Sequence, residues 1–374
     1  MAGRRKHEKA PIMALRRIVW AWSITVLLAV CASCSRSAPS RPKIEAPPGG
    51  VLLRGAGATF PAPLYEEWFQ AYQEAHPKVA VAYDAVGSGA GINRFIGKST
   101  GLSEEDLVDF GASDAAMTDA EIARVSRGVQ LVPLTAGAVV LAYNLPELQD
   151  DLKLTRKAYS GIFLGDITKW NDPKIVTTNP ELETSSITIT LVARRDASGT
   201  TYALTNHLSA VSQEWRGRFG AVQLVDWQGL AMRVEGNAGV AGRIKQSLGS
   251  IGYMELGFAR RLGLKTAWLE NKAGRFVQAT TKSGEAALGS VPLPGNLRFF
   301  FPDPDGPDSY PIITLSWVLL YKDYGDAKKA AALRELLKWC LTEGQKSSEQ
   351  LGYLPLSSNI VSPATAAAES IRSR

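Results

Sequence analysis

Cysteine and histidine are both scarce in this chain, at three residues each in 374. Cys31 and Cys34 sit together near the amino terminus, which leaves Cys340 alone in the body of the chain. A disulfide between cysteines of a folded domain is thereby excluded, and so is a cysteine-based metal site. Cys340 falls in an apolar helical pattern with Leu333, Leu336, Leu337 and Leu341, where a thiol serves as a small buried hydrophobe. His76 and His207 are the histidines left for the folded part, too few to build a zinc site. Charge of one sign is also missing from the body. The formal net charge is +6, but residues 1–33 hold Arg4, Arg5, Lys6, Lys9, Arg16 and Arg17 against Glu8, leaving 36 basic and 35 acidic residues beyond them. A nucleic-acid surface needs a basic excess that this remainder lacks. Internal repeats are absent, and the Gly-rich stretches fail the nucleotide fingerprints. Gly87 to Ile92 and the run from Gly55 to Phe60 both lack the closing Gly/Ala of the dinucleotide motif, and no Gly-Lys-Ser/Thr follows either.

Long hydrophobic runs are missing as well, with one exception. "IVWAWSITVLLAVCA", Ile18 to Ala32, is too short to span a bilayer with ease. Preceded by Arg16 and Arg17 and followed by small residues, it matches a secretory signal, with Met1 or Met13 as its start. It ends in Cys31-Ala32-Ser33-Cys34, and a small residue before a cysteine is the pattern of a bacterial lipoprotein signal with Cys34 lipidated. Cys31 stands where an aliphatic residue is usual, so cleavage by an ordinary signal peptidase stays open. Residues 1–33 are therefore expected to be a signal peptide, and 34–50, rich in Pro and Ser, a flexible tether.

With 45% hydrophobic and 21% charged residues, the rest has ample core for a globular protein. From Val51 onward short β-branched runs alternate with helical stretches, the pattern of α/β architecture. Strands are expected at Val79–Val86, in the apolar run Gly128–Leu145, at Ile187–Val192, from Ile251 and over Ile312–Tyr321. Helices are expected at Pro63–Ala75, Glu104–Asp109, Thr118–Ser126, Arg156–Phe163, Thr201–Leu208, Ala238–Gln246 and Ala327–Gly344. Pro302–Pro311 and Pro292–Asn296 read as exposed connectors, and Pro363–Arg374 as a frayed tail.

Four turns share one theme. "RGAGATFPAPLY" (54–65), "AVGSGAGINRF" (85–95), "VDFGASDAAMT" (108–118) and "ARRDASGTT" (193–201) place small residues where a strand hands over to a helix, each with a hydroxyl or a carboxylate. The first turn of a helix has N–H groups without partners, and its dipole favours negative charge. Small residues let an oxyanion approach those groups, and an arginine adds charge and a two-pronged donor. Taken singly, Ser, Thr or Asp at such a turn is more often a plain N-cap.

Together the segments resemble a known family, the phosphate-binding protein of the bacterial phosphate ABC transporter. "GAGATFPAPLY" (55–65), "VGSGAG" (86–91), "DFGASDAAMT" (109–118), "ARRDASGTT" (193–201), "GNAGVAGRIKQSLGSIGYMELGFA" (236–259) and "YPIITLSWVLLYKD" (310–323) occur in the family's order. The resemblance implies a type II periplasmic binding protein fold of class α/β, two lobes with the ligand cleft between them. By family pattern, lobe I comprises 51–132 plus 308–374 and lobe II 133–307, with crossings near Val132–Thr135 and Pro302–Pro311. Carried over position by position, phosphate would be bound by Thr59, Phe60 (through its N–H), Ser88, Asp114, Arg194, Ser198, Gly199 and Thr200, with Asp196 supporting Arg194. Arg195 would be a solvated surface charge. Ala197 departs from the family's Arg-x-Asp-Gly-Ser-Gly-Thr. If that position needs positive φ, its Cβ costs about 1 kcal/mol.

Asp114 is the informative oddity, because a carboxylate repels an anion unless a proton lies between them. Phosphate near neutral pH carries a proton and sulfate carries none, so Asp114 would be a filter against sulfate. Its rival role is to cap a helix starting near Met117. The function implied is extracytoplasmic capture of inorganic phosphate and delivery to the permease and ATPase subunits of an ABC transporter. The protein would be a monomer, periplasmic or at the cell surface, touching the membrane only through a lipid anchor, with no cofactor, metal or nucleic acid. The alternatives are a phosphatase-like enzyme and a phosphate-sensing surface lipoprotein on the same scaffold. Catalysis finds little support: Ser198 is in no Gly-x-Ser-x-Gly elbow, and no motif aims His76 or His207 at it.

Overall fold

The computed structural model describes residues 1, 3, 44–97, 101–227, 229–290 and 294–373. Nearly all of the expected signal peptide, the lipidation site Cys34 and most of the expected tether lie outside the described residues. Glu45–Arg374 forms one compact unit, and all the described strands and helices belong to it.

Its centre is a nine-stranded sheet. The strands are β1 (Val51–Gly57), β2 (Val79–Ala85), β3 (Phe110–Ser113), β4 (Val129–Asn144), β5 (Thr190–Arg194), β6 (Ala231–Val234), β7 (Ser250–Glu255), β8 (Lys265–Thr266) and β9 (Ile313–Tyr321). Along the sheet they run β2-β1-β3-β9-β4-β7-β5-β6, with β8 beside β4. Parallel pairing occurs in two places, β2-β1-β3 and β7-β5-β6, and the strands between are antiparallel. Parallel neighbours require a crossover, and helices supply it. Helix α1 (Ala62–Ala75) joins β1 to β2 and α2 (Ser88–Ile96) lies between β2 and β3. Helix α3 (Gly199–Val211) follows β5 and α4 (Gly236–Gln246) joins β6 to β7.

Strand β4 ties the two parallel groups together. It pairs with β9 through Ala138 and with β7 from Val139 onward. Almost all of its residues are buried, as suits a strand with neighbours on both edges. Pro133 has no N–H to give the ladder, and the register with β9 shifts there, between Ser316 and Trp317. Side chains of α1 (Leu64, Tyr65, Trp68, Phe69, Tyr72) and of the helix Ala327–Leu341 (Leu333, Leu336, Leu337, Cys340, Leu341) pack into one core with β1 and β9. Cys340 is the free buried cysteine its pattern implies.

Three expectations are corrected. The tail is ordered: Ser358–Glu369 is a helix that buries Ile360, Ala364 and Ala368, and Arg372–Ser373 pairs with Asp323–Tyr324. Small alanines at helical spacing bury as well as larger residues, and polarity at the end of a chain hid this. The helix expected at Glu104–Asp109 is a single 3-10 turn, Glu104–Asp106. The connector 302–311 is exposed only in part, since Ser309 and Tyr310 are buried and Asn271 Nδ2 donates to the carbonyls of Gly306, Pro307 and Ser309. Among the described residues no helix is long and apolar enough to cross a membrane.

Candidate functional site

In a parallel sheet the strands of a group end on one side, and the next helix starts there with free N–H groups. Both parallel groups do this, and the turns so formed meet. Thr59 and Phe60 follow β1, Ser88 follows β2, Asp114 follows β3, and Ser198 to Thr200 follow β5, which ends at Arg194. A turn not expected to contribute, Gly236-Asn237, follows β6.

Contacts between the two groups are short and polar. Ser88 Oγ accepts from the N–H of Gly199 at 3.1 Å and of Asp114 at 3.3 Å. The N–H of Gly89 donates to the Ala197 carbonyl at 3.0 Å. Thr59 Oγ1 accepts from Asn237 Nδ2 at 2.9 Å and from the Asn237 N–H at 3.2 Å. The same Nδ2 donates to Thr200 Oγ1 at 3.3 Å. Glycine is required where the backbones approach. At Gly87, with φ +95°, a Cβ would lie 2.5 Å from Asp196 Oδ2, and at Gly199 a Cβ would lie 2.6 Å from the Asp114 Cβ.

Arg194 is 2% exposed. Its Nε donates to Asp196 Oδ1 at 2.7 Å, and its Nη2 donates to Asp196 Oδ2. Tyr253 holds the backbone: its hydroxyl accepts from the Arg194 N–H at 3.2 Å and bonds Thr201 Oγ1 at 2.7 Å. One guanidinium nitrogen is left over. Arg194 Nη1 is buried with no protein partner. Burying an ionised donor without a partner is costly, so such a group signals a bound acceptor. The N–H groups of Thr59, Phe60 and Thr200 likewise find no protein acceptor among the described residues.

Two acids flank this guanidinium with opposite character. Burial pushes the Asp114 carboxyl up to about 7, against the lowering effect of the Ser316 hydroxyl and the Arg194 charge. Ser316 Oγ donates to Asp114 Oδ1 at 2.8 Å. Burial also raises Asp196, but the hydrogen bonds and charge of Arg194 and the Gly236 N–H outweigh it, and the net shift is downward. At neutral pH, therefore, Asp196 is spent on Arg194, and Asp114 sits near its titration midpoint.

All the residues expected in the site are thus brought together: Thr59, Phe60, Ser88, Asp114, Arg194, Ser198, Gly199 and Thr200 converge on one region, with Asp196 behind Arg194. Ser198 is also the cap of α3, its Oγ accepting from the Thr201 N–H at 3.2 Å. Asp114 caps nothing, because the helix Asp119–Ala123 is closed by a capping box of Thr118 and Glu121. The third turn is therefore no strand-to-helix junction. Ala197 is not strained either, as Leu297 is the non-glycine residue with positive φ among those described. Arg195 is exposed and pairs with Glu235. Asn237, Tyr253 and Ser316 were missed. Asn237 stands in a small-residue turn like the other four, and that was its available signal; Tyr253 and Ser316 lie inside strands, where nothing local marks them.

The histidines serve structure. His207 is fully buried, with Nε2 on the Tyr159 hydroxyl at 2.9 Å and Nδ1 on the Pro302 carbonyl at 2.8 Å. Burial lowers it to about 4, so it is neutral. His76 stacks on Tyr72 and bonds the Tyr72 carbonyl. Neither ring bonds Ser198. Among the described residues no group of three His, Cys, Asp or Glu is placed to hold a metal.

Residues 37–343 match the PBP superfamily domain. The chain is 35% identical to the phosphate-binding protein PstS of Haemophilus influenzae over 83% of this chain and 90% of that one. It is 34% identical to the protein of the same name from Methanocaldococcus jannaschii over 88% of each. Among solved structures, a high-affinity periplasmic phosphate-binding protein bound with phosphate aligns with TM-score 0.67 at 20% identity, covering 86% of this chain and 93% of that one. A human phosphate-binding apolipoprotein aligns with TM-score 0.69 at 22% identity, covering 84% and 93%. These structural matches establish the type II periplasmic binding protein fold.

Proposed function

The chain belongs to the PstS family of phosphate-binding proteins within the PBP superfamily, and from that premise we propose that it captures inorganic phosphate outside the cytoplasm and delivers it to a phosphate ABC transporter. The observation that carries this reading is Arg194 Nη1, buried, ionised and without a protein partner beside Asp114. Around it stand N–H donors at the starts of α1 and α3, and hydroxyls of Thr59, Ser88 and Thr200. This is a donor-rich enclosure with one cation and one acid that can accept. A tetrahedral oxyanion carrying a proton satisfies every one of these groups. Its bare oxygens take the N–H, O–H and guanidinium hydrogens, and its own hydrogen goes to Asp114. Sulfate would leave an ionised Asp114 facing lone pairs, which disfavours it by roughly 10⁴-fold where such a mismatch is buried, so the filter is strongest above the pH at which Asp114 titrates.

Mechanism follows from where the donors reside. Thr59, Phe60, Ser88 and Asp114 belong to residues 51–132, in lobe I with 308–374. Arg194 to Thr200 belong to lobe II, 133–307. Strand β4, which changes partners between Ala138 and Val139, a few residues beyond the expected crossing at Val132–Thr135, and the connector 302–311 are the hinge. Opening hydrates both half-sites; closing replaces that water with fixed donors and brings Ser88 onto the start of α3. The closed surface then engages the permease, with its ATPase. Binding without turnover is the reading the histidines support, since both are engaged elsewhere. The alternative as an enzyme would need a base at Ser198. The chain acts as a monomer, held at the membrane by lipid on Cys34.

Titration with phosphate, sulfate, arsenate and a phosphate ester tests the reading. Tight binding of phosphate and arsenate, with weak sulfate and no ester hydrolysis, is expected. Sulfate binding within tenfold of phosphate defeats the filter; turnover of the ester defeats the binding-protein role. Mass spectrometry of the native amino terminus shows whether Cys34 bears lipid.

A further inference from the structure

Asn237 is fully buried, and every polar atom of its amide is engaged. Its Oδ1 accepts from the Glu255 N–H at 3.0 Å. That bond decides which way the amide faces, because only oxygen can meet an N–H donor. The amino end must then point at Thr59 Oγ1 and Thr200 Oγ1, 2.9 and 3.3 Å away. The main-chain N–H of Asn237 adds a second donor to Thr59 Oγ1, at 3.2 Å. A hydroxyl oxygen accepts at most two hydrogen bonds. Both acceptor sites of Thr59 Oγ1 are therefore filled by Asn237, and its hydrogen is left free to donate. Ser88 shows the same logic without a side-chain amide, since its Oγ accepts from the N–H groups of Asp114 and Gly199.

We infer that Asn237 is the positioning residue that fixes the polarity of the phosphate site, saturating Thr59 Oγ1 so that this hydroxyl presents hydrogen, and not a lone pair, to the ligand, and filling one of the two acceptor sites of Thr200 Oγ1 so that it is biased the same way. This rests on the phosphate-binding reading and deepens it. A rotatable hydroxyl facing an oxyanion can donate or, misdirected, repel; removing the choice preorganises the donor. Asn237 also spans the two groups of turns, from Thr59 after β1 to Thr200 in α3, so the hydroxyl of Thr59 is aimed only when those turns are together. Donor orientation and closure are then one event.

The test uses the full chain and phosphate. Asn237→Asp puts an acceptor where Nδ2 donates, so Thr59 and Thr200 turn their hydrogens toward it and away from phosphate. Its affinity at pH 8 is expected to fall by on the order of 100-fold or more, two misdirected donors' worth. The deficit against the parent at the same pH should shrink at pH 5, where a protonated carboxyl regains a donor. Groups bearing on position 237 in that comparison are Glu255, Asp196, Arg194 and Asp114. Asn237→Ala, which removes the side-chain donor together with the acceptor of the Glu255 N–H, should cost about tenfold. In a Thr59→Val background that cost should be at least threefold smaller, because Asn237 acts largely through Thr59. Three results overturn the proposal: N237D within threefold of the parent at pH 8, a deficit equal at both pH values, or N237A losses that are the same with and without Thr59. The N237A cycle stands alone if N237D does not fold. Failure of the parent to bind phosphate is a separate result, and it removes the functional reading itself.

Discussion

Asp114 and Asp196 are the same residue type, both withdrawn from water and both influenced by one guanidinium, yet the site treats them oppositely. Asp196 receives two hydrogen bonds from Arg194 and one from the Gly236 N–H, and these hold it ionised below the usual carboxylate range in spite of burial. Asp114 receives the hydroxyl of Ser316 and the Arg194 charge without a direct bond, and burial prevails. The charge of each acid is thus set by depth weighed against the donors within reach: Asp114 is 1% exposed and burial wins, whereas the Asp196 side chain keeps 17% of its surface and its donors win. One acid is committed to holding a cation in place. The other spends part of its accepting capacity on the Ser316 and Ser88 hydroxyls and keeps the rest for a ligand hydrogen.

The largest expected effect breaks that comparison at its common element. Arg194→Met removes the charge and the partnerless Nη1 while keeping much of the apolar stem. Phosphate affinity is expected to drop by on the order of 10³-fold or more, the cost of truncating one side of a buried charge-assisted pair. Isothermal titration measures it; a loss under tenfold would mean Arg194 does not face the ligand. Asp114→Asn comes next and acts on discrimination. An amide offers hydrogen as well as a lone pair, so sulfate is no longer rejected. The phosphate-to-sulfate ratio is expected to fall from roughly 10⁴ to below about 10². An unchanged ratio would assign the filter elsewhere.

The pH dependence of stability separates the two acids by sign. Asp114 has its folded value raised to about 7 from 3.8, so the native state keeps a proton that the unfolded chain has lost across that interval. Stability of the ligand-free protein then falls as pH rises from about 4 to about 7, by a few kcal/mol for this group. Glu255, fully buried and pushed up to about 8, pulls in the same direction over a slightly higher range. Asp196 is shifted down, and it contributes stability above its unfolded value that is lost as pH falls through its folded one. Thermal melts across pH should therefore show Asp114→Asn flattening the decline between 4 and 7, and Asp196→Asn flattening the loss on the acid side. Identical profiles for the two variants would erase the distinction.

How far this was legible without coordinates differs between the same two acids. The turns after β1, β2 and β5 carry glycine and hydroxyls at fixed offsets because anion binding at helix starts is a local device, so Thr59, Ser88 and Ser198 to Thr200 could be read from the chain. The pairing of Arg194 with Asp196 was readable for a similar reason, two residues apart on one turn. What surrounds Asp114 was not. Ser316 is 202 positions away and meets it only because β9 runs antiparallel beside β3. Asn237 is 178 positions from Thr59 and 37 from Thr200. Contacts made by strand order rather than by neighbouring residues leave no local spacing to find. The carboxyl-terminal helix was misread for another cause: its buried face is mostly alanine, which composition scores as neutral.

The smallest expected effect tests whether the turn of Ser88, which accepts from the Asp114 N–H, must touch the turn that bears Asp196. A Cβ on Gly89 would lie 2.5 Å from the Ala197 Cβ, and Gly89 donates across the same gap to the Ala197 carbonyl. Closer than van der Waals contact by that margin, the turns would have to part. Gly89→Ala is expected to weaken phosphate about tenfold, at the lower end of overpacking costs, by opposing closure rather than by removing a donor. Ala197→Gly alone should change affinity by less than about threefold, since Ala197 has ordinary backbone and loses only a methyl group. Combined, the two substitutions exchange which side carries the methyl, and affinity should return most of the way to that of the parent. Recovery would locate the penalty in the space between Gly89 and Ala197. A double variant as weak as Gly89→Ala would instead place it in the backbone of α2, and the turns of Ser88 and Asp196 would not need to meet at that point for phosphate to bind.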